Sequence, residues 1–495
     1  MRIVRTLCLG LGLLFTSGRQ GVPLALWLDT NNRPNERAQE ALTILDAAAT
    51  HGLDPAFYRP SPEAMVGGAR FENELTLGMI RYLQDLHQGR VDARSLGLLI
   101  ENRTDARDVP EALRQAVQAG RLKDLVAELA PQSNQYRSLQ SVLVTYRALA
   151  RNASLPAVPA LTSGIHPGDP FSGAAALHAR LIAFGDIAPG TPPPSDATLA
   201  PGLVEGVKRF QARHGLTSDG ILGKRTIAAL QVSPASRVRQ IELSLERLRW
   251  LPRAVQGRVI VVNIPMFRLW ALQGGSSTEP PLTMKAIVGR AMQTRTPIFT
   301  ADLKTVVFRP YWNVPLSIAR GEIVPKLRRD SDYLVRSHFE IVRGDGDDAA
   351  IVAPTPEAFD QVARGALRIR QRPGPDNALG LIKFDFPNAF TVYMHGTPAV
   401  QLFQQDQRDL SHGCVRVEDP ITLAQWVLDD PAWSPEAITA ATNGANSRPV
   451  TVVRPTRVWL FYTTVVALPD GTTHFAADLY GHDVRLDRAL RSSVK

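Results

Sequence analysis

The sequence predicts a multidomain α+β protein: a helical scaffold, a small three-helix module, and a mostly-β, sandwich-like domain carrying a helical capping insertion. Three observations predict it. At 495 residues the chain exceeds what one ordinary core accommodates. After the segment "IELSLERLRWLP" the apolar residues stop recurring at three- and four-residue steps and begin to alternate. A Pro-, Gly- and Ser-rich stretch, "RNASLPAVPALTSGIHPGDP" at 151–170, separates two helical regions as a linker.

The N-terminal segment "MRIVRTLCLGLGLLF" places Arg2 and Arg5 before an apolar run ending at Phe15, the charge order of a signal peptide, read here as 1–20. The run is shorter than the roughly 20 apolar residues that span a bilayer, and no later segment reaches that length. An exported protein without a stable membrane span is expected, with an uncleaved N-terminal anchor left open because "FTSGRQG" lacks a small-x-small pattern. Removing the signal would remove Cys8. The chain has two cysteines, so Cys414 would then stand alone, and an unpaired thiol in an oxidising compartment points to reactivity.

Residues 21–160 read as the helical scaffold, with apolar steps such as Leu42, Leu45 and Ala49, and later Leu139, Val142 and Tyr146. Nothing in them suggests catalysis. Residues 165–235 read as the three-helix module, in which Leu203, Val207 and Phe210 form one stripe. Its last part, with Val207, Phe210, Gln211, Gly215, Leu216, Asp219, Gly220, Gly223 and Thr226, resembles the peptidoglycan-binding domain of cell-wall enzymes. The glycines are expected at positive φ and Asp219 in a turn. Residues 255–445 read as the β domain, from "RVIVVNIPMFRLWAL" to "NAFTVYMHG", and 446–495 as C-terminal strands packed on scaffold and β domain. Within it, 315–375 turns helical and charged and is expected to cap a site.

The formal charge of +9 comes from scattered arginines, which suits a polyanionic wall or membrane surface. Nucleic acid fits poorly, since neither a basic helix nor an aromatic binding signature is present.

The candidate chemistry centres on "SHGCVRVEDP" at 411–420 and "YMHG" ending at Gly396. A thiolate is the strong nucleophile, so Cys414 needs a base, and His395 could take its proton and return it. No acid stands beside His395; the Gly396 carbonyl could fix its tautomer instead. The amides of Gly413 and Cys414 could face a developing oxyanion. Asp419 and Pro420 read as cap and first residue of a buttressing helix. A zinc site at His395, His412 and Cys414 is the competing reading, weakened by the lack of a fourth ligand at a usual spacing. No cofactor and no metal are required.

His395-Gly396-Thr397 followed by S-H-G-C-V-R-V at 411–417, with Gly289, Thr296 and Pro297 in "VGRAMQTRTPIF", resembles the catalytic domain of L,D-transpeptidases. With scaffold, wall-binding module and insertion, the whole chain resembles the long Gram-negative type. The resemblance implies a periplasmic enzyme in which Cys414 is the nucleophile, His395 the base and acid, and the Gly396 carbonyl the orienting group. It implies that Ser411, His412 and Arg416 shape the pocket and hold substrate, with Tyr311, Trp312 and Asn313 lining the acceptor side. Implied partners are peptidoglycan stem peptides and cell-wall synthases, and implied chemistry is 3-3 crosslinking with loss of D-alanine and acylation by carbapenems. Two other readings stay open: a wall-binding protein without activity, and a carboxypeptidase or hydrolase that releases wall-linked lipoprotein.

Overall fold

Residues 25–100, 107–152, 155–161, 163–252, 257–274, 279–330 and 332–492 are described by a computed structural model. The expected signal peptide and Cys8 lie outside the described residues. Among these residues no helix is long and apolar enough to cross a membrane.

The helical half contains α1 (Glu36–Asp46), α2 (Gly68–Gln88), α3 (Val109–Gln118), α4 (Leu122–Leu129), α5 (Asn134–Arg151), α6 (Ala174–Ala183), α7 (Pro201–Arg213), α8 (Lys224–Gln231) and α9 (Pro234–Arg249). Local chemistry sets several of the starts: the Asn35, Asp108, Ser133 and Ser233 side chains each accept a backbone N–H of the first turn. A cap of that kind stabilises its helix by about 1 kcal/mol. Helices α1 to α4 enclose one core, with Trp27, Leu45, Phe71 and Leu83 fully buried. The fifth helix departs from the expected scaffold, because Tyr136, Leu139 and Leu143 bury against α9 in the core of the β domain.

The module core is Leu177, Leu181, Leu203, Val207, Phe210 and Leu230. Gln211 is the hub of its motif: Nε2 donates to Asp219 Oδ1 (2.9 Å), Ile221 O (3.0 Å) and Thr226 Oγ1 (3.1 Å), while Oε1 accepts from the Gly220 amide (2.9 Å). Gly215 and Gly220 have the expected positive φ of 63° and 76°. Gly223 does not; it caps α8 in extended backbone with φ −77°.

The β half comprises β1 (Arg258–Asn263), β2 (Arg268–Gln273), β3 (Leu282–Gly289), β4 (Phe299–Phe308), β5 (Trp312–Asn313), β6 (Phe339–Arg343), β7 (Ala350–Val352), β8 (Arg368–Gln371), β9 (Ile382–Asp385), β10 (Met394–His395), β11 (Asp409–Ser411), β12 (Val415–Val417), β13 (Arg448–Phe461), β14 (Val465–Ala467) and β15 (Thr473–Phe475). Nine strands form one sheet in the order β11-β3-β12-β10-β9-β4-β13-β1-β2. A further β2–β3 pairing closes this sheet on itself, so the two layers of the expected sandwich are one continuous wall. The chain from 448 to 461, expected outside the β domain, is instead an interior strand between β4 and β1. Its inward Val458 and Leu460 are buried, and closure requires it.

The insertion has its own core of Val324, Leu327, Phe339, Ile341, Phe359 and Val362. It contains short helices as expected, but also three strands that form, with β5 just before it, the four-stranded sheet β5-β8-β6-β7. Those strands escape an apolar-alternation reading because "RIRQ" buries a charge: Arg370 is held by Glu340 (2.9 Å) and lies over the Tyr311 ring (4.4 Å).

Candidate active site

Cys414 sits immediately before β12, and β12 runs parallel to β10 with Met394 opposite Val415 and His395 opposite Arg416. The Val415 amide donates to the Tyr393 carbonyl (3.1 Å), which puts Cys414 beside Tyr393. Side chains alternate along strands, so Cys414, Arg416, Tyr393 and His395 share one face while Met394, Val415 and Val417 enter the core. On the other side of β10, Lys383 of β9 pairs with His395 and joins the same face. Its Nζ lies 4.5 Å from the Tyr393 ring centroid and 3.0 Å from Asp385.

His395 is buried, and its Nδ1 is 2.6 Å from the Gly396 carbonyl. A carbonyl only accepts, so Nδ1 carries the proton and Nε2 is left as the basic atom. Burial, and then the Arg416 charge, push the imidazole down to about 3. Burial likewise raises the Cys414 thiol above its ordinary value. The Tyr393 amide and hydroxyl, with Lys383 and Arg416, act in the opposite sense by favouring the thiolate. At neutral pH the resting pair is therefore thiol and neutral imidazole. Proton transfer would accompany attack, and the two cations would stabilise the sulfur as it becomes anionic.

The loop is fixed from behind. Ser411 Oγ accepts from the Gly413 amide (3.1 Å) and donates to the Cys414 carbonyl (2.5 Å). Thr296 Oγ1 accepts from the Gly289 amide (2.8 Å) and donates to the Gly413 carbonyl (2.8 Å). Tyr480 completes the clamp by donating to the Gly289 carbonyl and accepting from the Thr296 amide (3.2 Å). Gly289 must be glycine, because a Cβ there would lie 1.9 Å from the Thr294 carbonyl oxygen. The buttressing helix Pro420–Leu428 starts as expected, with Asp419 accepting from the Thr422 amide (3.0 Å).

Two assignments from sequence change. The Gly413 amide, expected to serve an oxyanion, is already given to Ser411, in a loop turned by the positive φ of Gly413 (119°). Ser411 itself, grouped with the substrate-binding residues, is buried and spends its hydroxyl inside the loop. Arg416 fits a binding role better, since its Nε is buried with no hydrogen-bond partner among the described residues.

The insertion, and the strand that leads into it, reach this face at one point each. His412 Nε2 is 2.7 Å from Glu322, which a π-helical turn (Ala319–Ile323) presents. The Trp312 side chain bears on the hydroxyl of Tyr393, the residue that also faces Cys414. Tyr311 is covered by Arg370, and Asn313 is exposed on β5. Sequence reading missed Tyr393, Lys383, Glu322 and Tyr480. Of these only Tyr393 had a local signal, lying two positions before His395 on the same strand face.

Residues 257–454 match the L,D-transpeptidase catalytic domain, 23–143 a scaffold domain, and 172–230 a domain described as "Putative peptidoglycan binding domain". A "Putative L,D-transpeptidase" of Haemophilus influenzae is 31% identical over 283 residues, covering 56% of this chain and 55% of its own length. The match thus spans about half of that relative. A solved Zn-dependent amidase/peptidase with a peptidoglycan-binding domain, from Clostridium acetobutylicum, is 12% identical with a TM-score of 0.16 over 60% of this chain and 99% of its own, too slight a likeness to bear on fold or function. Residues 257–454 are thus similar to the catalytic domain of L,D-transpeptidases, and in this chain that segment follows regions that match a scaffold domain and a peptidoglycan-binding domain.

Proposed function

We propose that the protein is a cysteine-dependent peptidoglycan L,D-transpeptidase acting outside the cytoplasm, in the periplasm. The observation that carries this reading is the parallel pairing of β10 with β12, which sets the Cys414 and His395 side chains on one face with Nδ1 committed to the Gly396 carbonyl. Attack forms a bond from Sγ to the carbonyl carbon between an L-centre and a D-centre of a stem peptide, while the thiol proton passes to His395 Nε2. The C–N bond then breaks, and the D-alanine amine leaves with that proton. A thioester to Cys414 remains. An amine from a neighbouring stem loses a proton to Nε2, attacks the thioester, and releases the thiol with a 3-3 crosslink formed.

With the Gly413 amide engaged, oxyanion stabilisation falls to the Cys414 amide and the Tyr393 hydroxyl, which burial and the nearby thiol keep protonated. Arg416 would hold a carboxylate of the donor stem.

The test incubates purified tetrapeptide muropeptides with the protein and follows products by mass spectrometry. Expected is a dimer plus free D-alanine, absent from Cys414→Ala, which should still bind sacculi. Tripeptide without dimer would replace crosslinking by carboxypeptidase action, and an active Cys414→Ala would end the cysteine mechanism.

A further inference from the structure

A cavity of about 610 Å³ lies where the three-helix module, the barrel and the C-terminal hairpin of β14 and β15 meet, and its walls include neither Cys414 nor His395. Its lining is strongly cationic. Arg225 is paired with Asp406 (2.6 Å), Arg213 with Asp186 (2.6 Å) and Lys285 with Glu418 (3.4 Å). Three more guanidinium groups on the same wall, Arg237, Arg268 and Arg408, have no ion-pair partner among the described residues.

Two of the three are buried, Arg237 and Arg408 each at 8% exposure. Arg237 donates to Gln240 Oε1 (2.8 Å) and the Ala229 carbonyl (3.2 Å) and lies over Phe475 (4.7 Å). Arg408 donates to the carbonyls of Ala286 (3.2 Å), Gln405 (2.6 Å) and Phe267 (3.0 Å). Neutral acceptors satisfy their hydrogen bonds, and the carboxylates that act on Arg408, Asp406 and Glu418, are already paired with Arg225 and Lys285, so positive charge on this wall exceeds negative, which is costly for desolvated cations. The field shows in the neighbours: burial, with Arg268 next, lowers His474 to about 4, and burial with Arg213 and Arg237 lowers His214 as well. A carboxylate entering the cavity would offset the excess positive charge in the geometry a guanidinium fork prefers.

The cavity also adjoins the Cys414 face. Arg268 pairs with Lys285 across β2 and β3, and the Glu418 amide donates to the Lys285 carbonyl (3.1 Å), so Cys414, Arg416, Glu418, Lys285 and Arg268 follow one outer surface of the barrel. At ordinary strand rise and spacing, Cys414 and Arg268 are roughly 16 Å apart, about five extended residues.

We propose that this interdomain cleft is a second binding site, outside the Cys414 face, for a carboxylate-bearing peptide held by Arg237, Arg268 and Arg408. The charge arrangement stands whether or not the transfer chemistry proposed above does. The test uses full-length Cys414→Ala protein, so no turnover enters the measurement. By calorimetry it is titrated with the tetrapeptide L-Ala–D-Glu–diaminopimelate–D-Ala, with the same peptide amidated at its carboxylates, and with citrate as a free polycarboxylate. The intact peptide should bind at least about tenfold more tightly than the amidated one, and Arg268→Gln, a half-exposed position, should weaken it about tenfold. Arg408→Met, checked by thermal melting, should do the same; if it does not fold, Arg268→Gln decides. Equal binding of the amidated peptide, undiminished binding by Arg268→Gln, or citrate binding as tightly as the peptide would overturn the proposal. Failure of the crosslinking assay with cleft binding intact would count only against the transfer reading.

Discussion

The Cys414 loop and the capping insertion both border the same face, yet they are built in opposite ways. The loop is short and has no core of its own; buried hydrogen bonds from Ser411, Thr296 and Tyr480 fix it, drawing on β11, the turn after β3 and the C-terminal segment. The insertion is large, encloses its own core, and meets the loop through the Glu322–His412 contact, whose side chains are 47% and 33% exposed. Where reacting atoms need fixed geometry the molecule uses buried polar bonds, which are costly to leave unmade; where access is needed it uses contacts that water can replace.

The sharpest way to break this contrast is Thr296→Val. It leaves the Gly289 amide and the Gly413 carbonyl without their buried partner, a destabilisation of about 2–6 kcal/mol. Loop displacement of an ångström would cost roughly a hundredfold in turnover. Thr296→Ser keeps the hydroxyl and should restore both urea stability and rate; equal losses in both variants would show that packing, not hydrogen bonding, fixes the loop.

Next in size is the response to pH. His395 binds its proton near 6.5 in the unfolded chain but only near 3 when folded, so stability is lost as pH falls from about 6.5 toward 3. Urea midpoints should fall across that window, and less so for His395→Gln. Over the alkaline range, alkylation of Cys414 by iodoacetamide should keep accelerating beyond the ordinary thiol pKa of about 8.5. A rate already level near neutrality would mean a preformed thiolate–imidazolium pair.

The smallest effect belongs to the cap contact. Glu322→Gln should change stability by no more than about 1 kcal/mol, because the pair is exposed. Its expected signature is a few-fold change in KM with kcat nearly constant. A large fall in kcat would place Glu322 among the groups that hold the loop itself.

Much of this contrast was legible in one dimension. The thiol in a Gly-containing polar loop, the histidine at a strand end and the Asp-Pro helix start are local patterns, and residues adjacent in sequence impose them directly. The charged strands of the insertion were not legible, because Arg370 is buried by Glu340 and Tyr311, which lie 30 and 59 positions away. Nor was the membership of β13 in the barrel, since alternation marks a strand without naming its neighbours.

By itself, then, the sequence determined which groups could react and where the helices and the apolar strands would form, since rotamer, propensity and capping chemistry act over a few residues. Only the tertiary structure decided that the Gly413 amide belongs to Ser411, that Tyr480 clamps Gly289 from 191 positions away, and that three arginines without an ion-pair partner among the described residues converge in one cleft. Those outcomes depend on barrel closure, which fixes register between distant strands and so selects among contacts that chain order leaves equivalent.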